Sequence, residues 1–455
     1  MKLFLKSTLF LKRCGLSVLI IVTTGIEMGS PESSWSQTPA PPVITSSTPP
    51  GDVEIPEGFR GNPIGFFDDF SWKTFIALVW PALQGQRGVP DPKQTVGGSG
   101  PRVFETYKAL YEMFHNNGSA PASWNDFDPA DYNPCGVGVG WGDLTLGSFS
   151  KFSDLGEPGI GSLAGPLVAQ NTTYVRFLTT FNMVEYEQIV SGEWYLRKKL
   201  LAGITFDNGA IDTKSAWMDM SGASHPERYY TRTAWVLDPV TGETSRKKVG
   251  LVGLHIVVKT PSRPQWIWIT FEQVDNVPPL QPDTTGAFGP GSSNFNDGTG
   301  TPMPGRNPHG LQRVLEAPTA ASFNVERLKP IHPSTKTTNA AYRVALHGTV
   351  WENYQLIATQ WPRVPDSPTT PGTPPNTLPG TPPPKDSTAF SNVTLETFDQ
   401  KSVFTSCMAC HNVTKAPTDF LWSLNDHAYP AKLSTPNLIM KDPAARALRS
   451  LLKQQ

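Results

Sequence analysis

Ten prolines fall within residues 362–386. Proline lacks an amide hydrogen and fixes its own φ, so so dense a run builds neither a helix interior nor a central strand. The segment divides the chain, and each side must find its own packing across a semi-rigid spacer. The expected plan is a large domain over residues 64–361, a linker over 362–386 and a small module over 387–455. Residues 31–63, rich in Pro, Ser and Thr, read as a flexible or polyproline-like leader.

The N-terminus carries a different signal. Lys2, Lys6, Lys12 and Arg13 precede a short, mostly apolar run over residues 14–26. That is the layout of a signal peptide and too short to span a bilayer. Residues 1–30 are therefore expected to be removed, and the mature chain to be exported, to the periplasm or medium, with no transmembrane span. A formal net charge of −1 with 17% charged residues excludes a basic nucleic-acid binder. Thirteen Trp and 23 Phe exclude a wholly disordered chain.

The patterning predicts an α+β fold: a large, mixed, β-rich N-terminal domain with several helices. Phe75, Ile76 and Val79 share one helical face, with Ser71 as the expected cap and Pro81 as the stop. A second helix is expected over 103–114, where Tyr107, Leu110, Tyr111 and Phe114 recur at helical spacing, and a third over 181–201. Residues 228–237, 249–259 and 264–273 read as strands. Thr260-Pro261-Ser262-Arg263 reads as the turn of an antiparallel hairpin. Trp266, Trp268, Thr270 and Glu272 alternate with Ile267, Ile269 and Phe271, so that strand should be covered on both sides. Residues 278–308 read as an extended loop, and 443–452 as a C-terminal helix.

Chemistry concentrates in Ser406-Cys407-Met408-Ala409-Cys410-His411. C-x-x-C-H is the attachment signature of haem c. Two thiols three positions apart on a helical turn suit thioether bonds to the two vinyl groups, and the adjacent imidazole suits the proximal iron position. One such motif implies one covalent haem, bound by Cys407, Cys410 and His411. A zinc site would need two further ligands at matching spacing. The distal iron ligand stays open among Met440, His427, a donor from the large domain, or none. His255, Glu272 and Asp275 lie on the two strands of the expected hairpin, as a metal or acid–base site or as a hydrogen-bonded core histidine with neighbours. Cys135 reads as a buried thiol, and the glycine-rich stretch 136–142 as a loop.

Three stretches carry a family resemblance: Phe70-Ser71-Trp72-Lys73-Thr74-Phe75-Ile76-Ala77-Leu78, residues 249–278, and the Cys407–His411 motif. Through them the chain resembles bacterial cytochrome c family proteins with a large uncharacterised N-terminal region and a single C-terminal haem-c module. The resemblance spans roughly residues 64–430. It implies haem ligation by Cys407, Cys410 and His411, a small all-α cytochrome c-like module at 387–455, and no catalytic residue. The expected function is single-electron transfer between periplasmic redox proteins. The alternatives are an oxidoreductase whose N-terminal domain binds substrate, or a non-catalytic binding or scaffold domain with a haem tail.

Overall fold

Val, Ile and Trp dominate residues 249–271, and such side chains favour a pleated, buried surface. The computed structural model describes residues 41–147, 167–238, 241–280, 293–298, 324–362, 392–397, 400, 407–411 and 414–431. Among these, eight strands join in one sheet: β1 (Lys108–Ala109), β2 (Leu144–Leu146), β3 (Arg176–Phe181), β4 (Ile211–Asp219), β5 (Thr231–Leu237), β6 (Thr244–Thr260), β7 (Arg263–Gln273) and β8 (Tyr354–Gln360). The helices are α1 (Ile64–Leu78), α2 (Leu110–Met113), α3 (Met183–Ser191), α4 (Arg197–Leu200), α5 (Pro333–Ala345), α6 (Cys407–His411), α7 (Lys415–Thr418) and α8 (Trp422–His427). The described residues all belong to one unit, Ala40–Gln455. The fold is thus mixed α and β, as the patterning predicts.

β6 and β7 form the expected hairpin, with Thr260 paired to Arg263 across Pro261-Ser262. The carboxylate of Asp52, in the leader, accepts from the Ser262 amide at 2.9 Å and hydroxyl at 2.6 Å. Leader residues Ile44, Val53 and Ile55 also pack on the main core. β6 is long enough to serve two partners along one edge. Residues 244–250 pair with β5, residues 253–260 with β7, and β4 runs along the other edge. The fork falls at Leu251. There the Tyr354 hydroxyl accepts from the Tyr230 amide at 3.0 Å and donates to the Leu251 carbonyl at 2.8 Å. One phenol therefore satisfies two backbone groups that the diverging strands leave behind.

α1 and α5 cover one face of β7–β8. Phe75 stacks on Phe271 with ring centroids 4.1 Å apart, and Trp72 donates to Asn339 at 2.9 Å. Asp68, wholly buried in α1, accepts from Thr335 and Thr359, and burial pushes its carboxyl up to about 7. The opposite face, carrying Trp268, Thr270 and Glu272, is covered by chain from beyond the proline-rich segment. Asn392 donates to the Thr270 hydroxyl at 3.0 Å and the Phe271 carbonyl at 2.8 Å, and the Val393 amide donates to Glu272 at 2.6 Å. Both sides of β7 are covered, as its doubly apolar pattern predicts.

Three helix expectations are corrected. α1 begins at Ile64, not Ser71; Ser71 lies inside it, buried, bonded to the Phe67 carbonyl and the Thr359 hydroxyl. The expected 103–114 helix is broken. Val103–Thr106 is a 3-10 turn, Lys108 and Ala109 pair with β3, and only Leu110–Met113 is α-helical. Sheet pairing and the burial of Lys108 beside Glu112 override the helical spacing there. The 181–201 helix stops at Ser191, where Glu193 turns left-handed, and resumes as α4. Residues 281–292 and 299–308 of the expected loop, and the expected 443–452 helix, lie outside the described residues.

Candidate functional site

α6 is a single turn holding Cys407, Cys410 and His411, so its backbone sets the two cysteine positions three apart. It is fastened to the large domain from within. Met408 is fully buried in the main core, and its amide donates to the Gln360 side chain at the end of β8, at 2.8 Å. His411 is half-buried, with its ring 4.3 Å from that of Trp268 on β7.

The tautomer of His411 follows from one bond. Nδ1 lies 2.7 Å from the Phe420 carbonyl oxygen, which can only accept. Nδ1 must therefore carry the proton, and the neutral ring keeps its lone pair on Nε2. That is how a metal-binding imidazole is held: one nitrogen oriented by a backbone carbonyl, the other basic. The carbonyl is aimed by unusual backbone. Asp419 has φ 48° and Phe420 φ 74°, two successive non-glycine residues in left-handed space. Phenylalanine pays steric strain there, and the surroundings must hold it.

They do so through Asp419. Its carboxylate pairs with Lys259 of β6 and accepts from the Phe206 amide at 2.9 Å, and its carbonyl accepts from the Trp266 indole at 3.0 Å. Trp266 itself has φ 71°, at an irregularity where β7 leaves register with β6. Burial pushes the Asp419 carboxyl up to about 6 against the pull of Lys259, and burial lowers the Lys259 ammonium. Further anchors follow: the Ile204 amide bonds the Pro417 carbonyl at 3.0 Å, and Arg197 reaches the carbonyls of Asn425, Ala428 and Pro430. Nothing in the sequence pattern singles out Lys259, Trp266, Asp419 or Phe420. The one hint is a lysine within the apolar stretch of β6.

The other candidates are distributed as follows. His427, on α8, sits beside Phe114; burial, with Lys214 and Arg197 nearby, lowers its imidazole to about 4. Met440 lies outside the described residues. His255, Glu272 and Asp275 do not form one cluster. His255 lies 3.1 Å from Glu396, Glu272 pairs with Arg327, and Asp275 pairs with Arg228 at 2.6 Å. The reason is register: Thr270 stands opposite His255, and Glu272 stands opposite Gly253. Cys135 is buried, with its thiol 3.4 Å from the Trp235 carbonyl. Among the described residues, no three His, Cys, Asp or Glu side chains converge to hold a metal ion.

The residues at α6 fit a covalent haem. They offer two cysteines three positions apart on one turn, an imidazole oriented through Nδ1, and an aromatic ring beside that imidazole. No protein-family model, curated protein or solved structure matches this chain.

Proposed function

We propose that the chain is an exported c-type cytochrome with one covalent haem, passing single electrons between redox proteins. The observation that carries this is the C-x-x-C-H turn whose histidine donates Nδ1–H to the Phe420 carbonyl. In this reading Cys407 and Cys410 form the thioethers, and His411 is the proximal ligand through Nε2. The haem supplies the reversible one-electron couple. The protein's own residues do the rest. Phe420 fixes the imidazole plane and raises its basicity through the Nδ1 bond. Trp268 walls the ring from water, and Met408 and Gln360 tie the turn to the sheet. The haem-bearing module is the 387–455 segment, whose described residues within 392–397 and 407–428 bond to the large domain. Export by the 1–30 segment supplies the compartment in which thioethers are made. The family resemblance and the periplasmic setting belong to the same proposal.

The test is expression of the full chain with haem-attachment machinery, followed by mass spectrometry and a pyridine haemochrome spectrum. One haem per chain on the peptide carrying Cys407–His411 is expected, lost in Cys407→Ser/Cys410→Ser. Protein exported and folded but lacking covalent haem refutes the proposal. The distal ligand is read from the oxidised spectrum of wild type against Met440→Ala and His427→Ala.

A further inference from the structure

Away from α6, the loops after α2 bring a hydroxyl, an imidazole and a carboxylate into one chain of contacts. Ser119 Oγ lies 2.8 Å from His115 Nδ1, and His115 Nε2 lies 3.2 Å from Asp128 Oδ1. His115 and Asp128 are buried, at 4% and 8% exposure. Ser119 is half-buried, in a loop whose Asn116, Asn117 and Ala120 are exposed. The imidazole and the acid are thus withdrawn from water while the hydroxyl stays within reach of it. The imidazole stacks on the Tyr132 ring, with centroids 3.9 Å apart and planes 14° apart. The Ala122 amide donates to Asp128 Oδ1 at 3.3 Å.

The proton directions follow from what each atom can accept. The Asp128 carboxylate only accepts, so the ring proton sits on Nε2, and Nδ1 keeps the lone pair that faces the Ser119 hydroxyl. The Nε2–Asp128 contact has ion-pair distance without hydrogen-bond alignment, so its main effect is to stabilise an imidazolium, as a triad aspartate does. On the other side of the hydroxyl, Asn117 Nδ2 donates to the Tyr132 hydroxyl at 2.9 Å, which leaves the phenol hydrogen for Ser119 Oγ, 3.2 Å away. The Asn117 side chain is itself fixed, accepting from the Ser119 amide at 2.9 Å. Oγ therefore has a base that takes its hydrogen and a phenol that donates to negative charge formed beside it. A clasp for the loop would need only the Ser119–His115 bond; the acid behind the ring and the phenol in front are what an activated nucleophile adds. Gly118, at φ 74°, packs against the Tyr429 ring, which is 40% exposed and gives apolar surface next to the loop.

We propose that Ser119 is the nucleophile of a second, non-redox activity, the hydrolysis of small carboxylic esters, with His115 as general base and Asp128 as its positioning residue. Ser119 Oγ bonds to the ester carbonyl carbon and passes its proton to His115 Nδ1. The bond from that carbon to the alcohol oxygen breaks, and the imidazolium returns the proton to the leaving alkoxide. Water repeats the sequence on the acyl-serine, releasing the carboxylic acid and restoring the hydroxyl. Tyr132 donates to the negative oxygen in both halves, and the exposed Tyr429 ring suits a short acyl chain.

The experiment treats the full chain, with and without haem attached, with a fluorophosphonate probe and with p-nitrophenyl butyrate. One label is expected on the peptide carrying Ser119, located by mass spectrometry, together with ester turnover. Ser119→Ala should lose both. His115→Gln should slow labelling about 100-fold or more, and Asp128→Asn should lower kcat with KM little changed. Mapping the label on wild type needs no variant to fold. Folded wild type unlabelled at Ser119, labelling without ester turnover, or turnover kept in Ser119→Ala overturns the proposal. None of these outcomes touches the cytochrome reading, and a chain without covalent haem leaves this proposal standing.

Discussion

Gly253→Ala tests whether the segment after the proline-rich spacer is truly seated on the sheet. A Cβ at Gly253 would clash with the Thr394 hydroxyl and lie 3.2 Å and 3.4 Å from the Asn392 amide atoms. Neither neighbour can yield cheaply. Asn392 spends its amide hydrogens on Thr270 and Phe271, and its oxygen accepts from the Thr394 amide at 2.9 Å and hydroxyl at 2.6 Å. Overpacking of this kind costs about 1–3 kcal/mol. If the cost falls on docking, the undocked population rises roughly 5- to 150-fold. Thr394→Ala alone removes one hydroxyl bond, worth about 1 kcal/mol. It also removes the atom that meets the new methyl. The double variant should therefore be more stable than the two single losses predict, by about 1 kcal/mol or more. Urea unfolding supplies the stabilities, and amide exchange of residues 392–397 shows whether the loss is local. Additive losses, or unchanged exchange in Gly253→Ala, would refute the close approach as the reason for glycine here.

Other consequences are as direct. Tyr354→Phe leaves the Tyr230 amide and Leu251 carbonyl unsatisfied at the fork of the sheet, and should cost about 1–3 kcal/mol in urea unfolding. Lys259→Met strands the buried Asp419 carboxylate and should cost about 3–5 kcal/mol at pH 8; the cost should shrink at pH 5, where Asp419 is protonated. Asp68 titrates at about 7 in the fold and 3.8 outside it. Between those values the native state holds a proton the unfolded chain has released, so this acid makes stability fall as pH rises through the window. Asp68→Asn should flatten that part of the profile, measured as urea midpoints from pH 4 to 8. An unchanged profile would show that Asp68 is not the group responsible.

Much of the sheet was legible because its signal is local. The β6–β7 hairpin follows from branched and aromatic residues either side of Thr260-Pro261-Ser262-Arg263. The doubly apolar pattern of β7 even required a second cover, although it could not say that residues 392–396 supply it. The expected 103–114 helix failed for the converse reason. Its spacing was helical, but Lys108 and Ala109 gain a strand partner in Phe181 and Thr180, which no local window contains.

The same division runs through the candidate site. C-x-x-C-H is legible because the proposed haem attachment would fix its spacing. What holds His411 is not legible, because it depends on contacts across more than 150 positions: Lys259 with Asp419, and Trp266 with the Asp419 carbonyl. These contacts have a common physical origin. An aspartate tolerates left-handed backbone better than most residues, but a phenylalanine beside it does not. Holding both there takes a buried ion pair and an indole hydrogen bond, and the result is one carbonyl aimed at one imidazole nitrogen.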